Sequence, residues 1–469
     1  MKKDLILDVE QTPKKLTHQL LFAVQHILAM FVACITVPML TGLPIDATIV
    51  AAGIGTLFYI ITTKKKSPVF LSSSFAYIAP MVSALALGDQ VQKNFLAVII
   101  GMAIVGLVYV IVALIIAKFG TKWLNKLLPP IVIGPVIMVI GLSLAVSAVN
   151  NLQNTFTATQ ANGDVLHQLS NYNIYFVISG LVATFATAIS AVYGKKMIKL
   201  IPFVIGMISG YAMAAIFTAF GHAFDYEAMQ VINFQPIIDN FSTVTFDSFL
   251  KMPDFMFAQD FSAFDISQLP EIILLFAPVS LVTVCEHIGD HKNLSNIIGR
   301  DLLEEPGLTR TLIGDGVATA ISGAVCGAAN TTYGENVAVI GVSKIASVSV
   351  IILASIMTIL LGFLRPVMCV VETIPACVTG GVSLILYGFI ASSGLKMLIA
   401  EKVNFNSTKN IFVAAVILVA GIGGLTLSLT FGKGSITITS TAVAMFLGII
   451  LNTILKEKDT KEEDLNLAE

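Results

Sequence analysis

Apolar residues run along this chain in blocks of about 20 separated by short polar breaks, which is the length a helix needs to cross the roughly 30 Å hydrocarbon core of a bilayer. Cutting at the breaks predicts segments near 18–40, 46–62, 68–88, 93–117, 127–149, 172–193, 198–220, 269–289, 309–327, 328–346, 347–364, 374–395, 409–430 and 435–455, fourteen passes in all. The basic residues check that count independently, because Lys and Arg gather on the cytoplasmic side of membrane proteins. With both ends inside, all 27 Lys and Arg residues except Lys93, Lys251, Arg365 and Lys433 fall in cytoplasmic segments, among them Lys64, Lys65, Lys66, Lys195, Lys196, Lys199, Arg300 and Arg310. The long break at 221–268 carries Asp225, Glu227, Asp239, Asp247, Asp254, Asp260 and Asp265 with one lysine, as suits an external loop. Thirteen or fifteen passes would scatter the positive charge over both faces.

Two blocks depart from a helical pattern. SPVFLSSS (67–74) and CGAANTT (326–332) suit extended backbone better than helix, and helix is expected to resume at about Phe75 and about Tyr333. From Phe75 to Gly88 a helix would be about 21 Å long, and from Tyr333 to Lys344 about 18 Å, at 1.5 Å per residue. Neither alone crosses the core. Irregular backbone at membrane depth survives only where it is buried in protein or lines a cavity, so both breaks are expected to face a site. The half-helices that follow would present free N–H groups and a partial positive charge, which suit carbonyl oxygens or anions.

An internal repeat points the same way. LPPIVIGPVIMVIG (128–141) in the fifth segment and IPACVTGGVSLILYG (374–388) in the twelfth share Pro129 with Pro375, Gly134 with Gly380 and Val136 with Val382 in register. The two lie seven segments apart, as do the interrupted third and tenth. Seven is odd, so the second half enters the membrane inverted, the arrangement that underlies alternating access in many carriers. The expected fold is an all-α polytopic membrane protein of two inverted seven-segment repeats, with short extended strands in segments 3 and 10.

Composition agrees: 56% of residues are hydrophobic and 12% charged, against roughly 25% charged in an ordinary soluble domain. A net charge of −2 with scattered basic residues leaves no electrostatic footprint for nucleic acid. Cys34, Cys285, Cys326, Cys369 and Cys377 lie in or beside apolar segments without zinc-site or disulfide spacing, and read as small core residues. The opening MKKDLILDVEQTPKK is too polar for a signal-peptide core, so no cleavage is expected. No HExxH motif or soluble catalytic domain argues for an enzyme, and no metal or other cofactor is implied.

Four acids sit where lipid would make them costly, at about 3 kcal/mol each on insertion scales: Glu286, Asp290, Asp315 and Glu335. Asp290 follows Glu286 by one turn on the same face, and also reads as the point where the segment meets water, beside His291 and Lys292. Asp315, in the first turns of its segment, reads as structural. His26, next to Gln25, reads as a buried hydrogen-bonding residue. Glu286 and Glu335 are the candidates for function. Burial disfavours an ionised carboxyl, so such a group can take a proton from one side and release it to the other. Its oxygens can equally accept hydrogen bonds from ring N–H groups, a combination that suggests a proton-coupled carrier for a small planar polar molecule.

PVFLSSSFAYIAPM (68–81), CEHIGDHKNLSNIIGRDLLEEPGLTR (285–310), NTTYGENVAVIG (330–341) and GGVSLILYGFIASSG (380–394) resemble the bacterial uracil permeases of the nucleobase/ascorbate transporter (nucleobase:cation symporter) family. The likeness runs from QHILAMF in the first segment to the fourteenth. It implies a symporter of uracil and protons in the cell membrane, with both termini cytoplasmic. Segments 1–4 (1–120) and 8–11 (268–364) would form a core domain. Segments 5–7 (121–267) and 12–14 with the tail (365–469) would form a gate domain that also makes a homodimer. It further implies that Glu286 and Glu335 bind the pyrimidine ring, that the backbone N–H groups of Phe75 and Gly334 meet its carbonyls, that Tyr333 packs on the base, and that Tyr387 closes the pocket. Asp290 stands where the best-known members have a histidine, with His287 and His291 to either side, which assigns the proton to Glu286 with Asp290 assisting. Ala338 and Ser343 replace a glycine and a threonine of the family signature. Glutamate at 335 favours uracil over xanthine in the family pattern. The alternatives are a xanthine or uric acid permease of the same family, and an anion exchanger or channel on the same fold, which would require a cationic site.

Overall fold

The computed structural model describes residues 5–87, 93–153, 156–159, 165–168, 173–195, 197–431 and 434–455; Gly88, Lys196, Lys433 and the tail at 456–469 lie outside them. The protein is an all-α polytopic membrane protein, and each expected segment has a helical counterpart. These are α1 (Leu16–Thr41), α2 (Ile45–Thr62), α3 (Ile78–Leu85), α4 (Phe95–Phe119), α5 (Pro130–Ser143), α6 (Ile174–Tyr193), α7 (Pro202–Ala223), α8 (Leu269–Ile298), α9 (Leu308–Ala324), α10 (Gly334–Ser343), α11 (Val348–Phe363), α12 (Ala376–Ala400), α13 (Thr408–Ile422) and α14 (Ser440–Ile454). Two short strands, β1 (Leu71–Ser73) and β2 (Asn330–Thr332), precede α3 and α10.

Some boundaries differ from the sequence expectation for visible reasons. The thirteenth segment stops at Ile422 rather than near 430, because Gly421, Gly423 and Gly424 end the helix, Gly424 with a left-handed φ of 75°. The alternating stretch beyond it pairs as a hairpin of β3 (Leu427–Phe431) and β4 (Gly434–Ile438). In the other direction α8 continues two turns past 289, through a polar stretch, to a left-handed cap at Gly299. The acidic loop at 221–268 contains a short helix, Gln235–Ser242, and several single 3-10 turns.

Residues 1–118 with 144–388 form one compact unit, and residues 119–143 with 389–469 another. In the second, Gly134 of α5 and Gly394 of α12 allow close approach: a Cβ on Gly394 would stand 2.9 Å from the Met138 amide nitrogen. In the first, α2 packs on α11 through small residues, since apolar side chains gain little from burial against one another rather than lipid and contact geometry decides. A Cβ on Gly53 would lie 2.7 Å from the Ser355 carbonyl oxygen. Gly53→Leu is therefore expected to force the pair apart and lower stability by about 1–3 kcal/mol or more, read as a fall in melting temperature of the detergent-solubilised protein. The N-terminal residues run beside the α10–α11 link: the Ile6 amide donates to Lys344 O (2.9 Å), the Val348 amide to Val9 O (3.0 Å), and Arg300, after α8, holds Asp8 at 2.6 Å. Lys66, ahead of β1, bonds Glu305 between α8 and α9, and holds that carboxyl below its usual range.

The extended segments meet as expected of a buried break. β1 and β2 pair antiparallel, Leu71 with Thr332, Ser72 with Thr331 and Ser73 with Asn330, and the Ser74 amide extends the ladder to Ala329 O at 2.8 Å. A two-stranded ribbon leaves both outer edges unpaired, which is costly out of water. Side chains of the flanking helices satisfy them. Thr56 Oγ1 accepts from the Leu71 amide (2.9 Å), Thr48 Oγ1 accepts from the Ala328 amide (3.1 Å), and Thr319 Oγ1 donates to Asn330 O (2.7 Å). Asn330 Nδ2 donates to Ala51 O (3.2 Å). Hydroxyls at 48 and 56 on α2 and 319 on α9 are thus what permits strands inside an apolar bundle.

Candidate functional site

Each strand delivers the chain into a short helix. Phe75 opens a 3-10 turn that runs into α3, and the apolar helix ends at Leu85 instead of reaching Gly88. Tyr333 is the N-cap of α10, so helix begins at Gly334, one residue later than expected. The amides ahead of the first helical bonds have no backbone acceptor within their own helix: those of Gly334 and Glu335, before Asn336 and Val337 donate to Tyr333 O, and those of Phe75 through Tyr77, before Ile78 donates to Phe75 O. Phe75 and Tyr333 are buried, and the Phe75 ring meets that of Tyr387 on α12 edge-on, with centroids 6.1 Å apart. The hydroxyl of Tyr333 is buried with no hydrogen-bonding partner among the described residues, whereas that of Tyr387 lies beside Ser383, one turn earlier on α12. A buried hydroxyl like that of Tyr333 calls for a polar partner from elsewhere.

Glu335 follows Gly334 in the first turn of α10, where the helix dipole favours an acid. Glu286 and Asp290 come from α8, one turn apart. All three carboxylates keep partial accessibility, whereas Cys285, His287 and His291 beside them are buried. They are near enough to interact: Glu286 feels Asp290 and Glu335, and Glu335 feels Asp290. Asp290 is tied inward, to β2. Thr332 of β2 donates its hydroxyl to Asp290 Oδ2 at 3.0 Å, and a Cβ on Gly334 would lie 3.8 Å from Asp290 Oδ1. Thus α8, β2 and the start of α10 share one polar locus. Among the described residues, no group of three or more His, Cys, Asp or Glu is arranged to hold a metal ion.

Asp315 stands beside this locus, near enough to be felt by Glu286 and Asp290. It is buried, with Oδ2 2.7 Å from His287 Nδ1, in keeping with a structural role. His26 is likewise buried, its Nδ1 3.0 Å from Asn336 Oδ1, which ties α1 to α10. The five cysteines are free and buried. Thr332 and Asn336 are not singled out by the sequence, since neither is charged; their positions, two before and one after the break that ends in Gly334–Glu335, are the available signal. His287 and His291 are visible in EHIGDH, but nothing in the pattern says what they face.

An inward-facing cluster of acids, two helix starts and a strand pair within a bundle of apolar helices defines a polytopic membrane carrier. Solved structures share this fold: the transmembrane domain of a cyanobacterium bicarbonate transporter, BicA, at TM-score 0.62 and 14% identity, covering 94% of this chain and 98% of that one, and the murine Solute Carrier 26 family member A9 anion transporter in the inward-facing state, at TM-score 0.66 and 11% identity, covering 95% and 69%. At that identity the likeness concerns the fold alone. Residues 17–430 match the Permease family (Xan_ur_permease). The uracil permease of Bacillus caldolyticus is 38% identical over 98% of this chain and 97% of its own length, that of Bacillus subtilis (strain 168) 36% over 100% and 99%, and that of Escherichia coli (strain K12) 32% over 92% and 90%. The chain belongs to this family of nucleobase permeases, as its sequence blocks lead one to expect, and is a transporter rather than an enzyme.

Proposed function

We propose that the protein imports uracil across the cell membrane together with protons, by alternating access, with both termini in the cytoplasm. The observation that carries this reading is the convergence of Glu286, Asp290 and Glu335 on two half-helix starts joined by one strand pair. Uracil carries two ring N–H donors and two carbonyl acceptors. Glu286 and Glu335 supply the acceptors, the amides of Phe75 and Gly334 the donors, Tyr333 packs on the base, and Tyr387 with Phe75 closes over it. A site built to pair every polar group of its substrate rejects an analogue that leaves one unpaired, by factors of about 10⁴ or more. Three neighbouring carboxylates repel one another, so a proton arriving with the substrate relieves the locus and one leaving restores it; Glu286 carries that proton with Asp290 assisting. Segments 1–4 and 8–11 act as the core, and segments 5–7 and 12–14 as the gate and the homodimer surface. The names of the uracil permeases support the substrate. The anion chemistry of the fold neighbours is disfavoured by an acidic site.

The test is uptake of labelled uracil into proteoliposomes with and without an imposed pH gradient. Accumulation is expected only with the outside acidic, and unlabelled uracil should compete where xanthine and uric acid do not. Uptake indifferent to the gradient removes the coupling, and competition by xanthine moves the substrate to the purines.

A further inference from the structure

Helix α8 carries a second polar stripe that the transport reading does not use. His287 and His291 each follow one of the site carboxylates by one residue, a rotation of about 100° around the helix. Their rings stack, with centroids 4.0 Å apart and planes 24° apart. At one end Asp315 of α9 stands 2.7 Å from His287 Nδ1; at the other, His291 Nε2 is 2.6 Å from the Tyr59 hydroxyl of α2, itself 2.9 Å from Ser67 Oγ. Tyr59, Ser67, His287, His291 and Asp315 are all 0% exposed. The Tyr109 ring of α4 closes the side, edge-on to His287 at 6.4 Å.

The hydrogens in this array have a forced direction. His291 Nδ1 lies 2.8 Å from the carbonyl oxygen of His287, which can only accept, so Nδ1 bears the hydrogen. In the neutral ring Nε2 then presents a lone pair. Tyr59 must donate to it, and Ser67 must donate to Tyr59. A second proton on His291 would stack an uncompensated charge on the His287–Asp315 pair and reverse both bonds. The array thus joins α2, α8 and α9 with one fixed geometry. Thr332 joins it to the site: its hydroxyl bonds Asp290, while its amide faces Asp315.

We propose that Tyr59 and His291 are positioning residues for transport: with His287 and Asp315 they fix the rotation of α8 about its axis and so aim Glu286 and Asp290. This rests on the reading of those carboxylates given above. Side-chain tips lie about 5–6 Å from a helix axis, so a turn of about 10° shifts a carboxylate by about 1 Å. A misplacement of that size can cost on the order of 100-fold in rate.

The test uses the full-length protein in proteoliposomes, with Tyr59→Phe, His291→Leu, His291→Gln and the Tyr59→Phe/His291→Leu double variant. Both single changes that break the bond are expected to raise KM for uracil about tenfold and to alter the pH profile of uptake. The double variant should be no worse than either, because both remove one interaction. His291→Gln, which keeps an acceptor for Tyr59, should recover most of the loss. Nitrogen-15 spectra of histidine-labelled protein should show one ring with an unprotonated, hydrogen-bonded Nε2 that changes in Tyr59→Phe, whatever the substrate. Absence of uracil uptake by the wild-type protein sinks the substrate reading before any variant is made. Given wild-type uptake, unchanged KM and pH profile in Tyr59→Phe and His291→Leu, or a lower melting temperature as their sole effect, overturns the positioning role.

Discussion

Glu286→Gln is expected to lower uracil uptake by at least about 100-fold. The carboxylate offers only acceptors, whereas the amide replaces one oxygen by an NH2 that would face a ring N–H of the substrate, donor against donor. Losing a charged hydrogen bond costs about 1.5–3 kcal/mol, and leaving a buried donor unsatisfied adds about 1–3 kcal/mol. Together these come to about 2.5–6 kcal/mol, which reaches or exceeds the roughly 2.7 kcal/mol that a 100-fold change represents. The amide also removes a site that can hold and release a proton. Initial rates in proteoliposomes report the combined loss, and equilibrium binding of labelled uracil to the purified variant separates its parts: some binding retained with transport gone assigns Glu286 to coupling as well as recognition. Uptake at the wild-type rate would remove Glu286 from the site.

Asp290→Asn is expected to act differently. Its side chain keeps the oxygen that accepts from Thr332, so β2 stays tied to α8, but the charge that Glu286 and Glu335 both feel is gone. Uracil binding should change by less than about tenfold, the scale of one neutral hydrogen bond, while the dependence of uptake on the imposed pH gradient should flatten and the accumulation ratio fall toward one. Accumulation that follows the gradient as in the wild type would leave Asp290 with the Thr332 bond alone. Measuring uptake at several external pH values, with the internal pH fixed, distinguishes these outcomes.

The number of segments, their order and the breaks before α3 and α10 are legible in the sequence because lipid imposes a length and forbids unpaired backbone. SPVFLSSS and CGAANTT stand out against an apolar background for that reason. Glu286 and Glu335 stand out because an acid in such a background is costly. What cannot be read is partnership. Nothing in the periodicity of α2 says that Thr48 and Thr56 serve strand edges, or that Tyr59 lies against a histidine from 232 residues further along the chain. The end of α13 is missed for a different reason: hydropathy registers LTLSLTF as apolar and membrane-like, while three glycines and β-branched alternation turn it into a hairpin.

The pairing of residues 71–73 with 330–332 also bears on how the protein is made. When β1 leaves the ribosome its partner has yet to be synthesised, and through the translation of more than half the chain its ladder groups must be sheltered by α1 and α2 or by the insertion machinery. Assembly of the proposed substrate pocket is consequently a late event, completed when the tenth segment enters and zips onto a strand that has been waiting. A nascent chain halted before residue 330 would carry an open edge within the bilayer, and quality-control proteases would find their handle there.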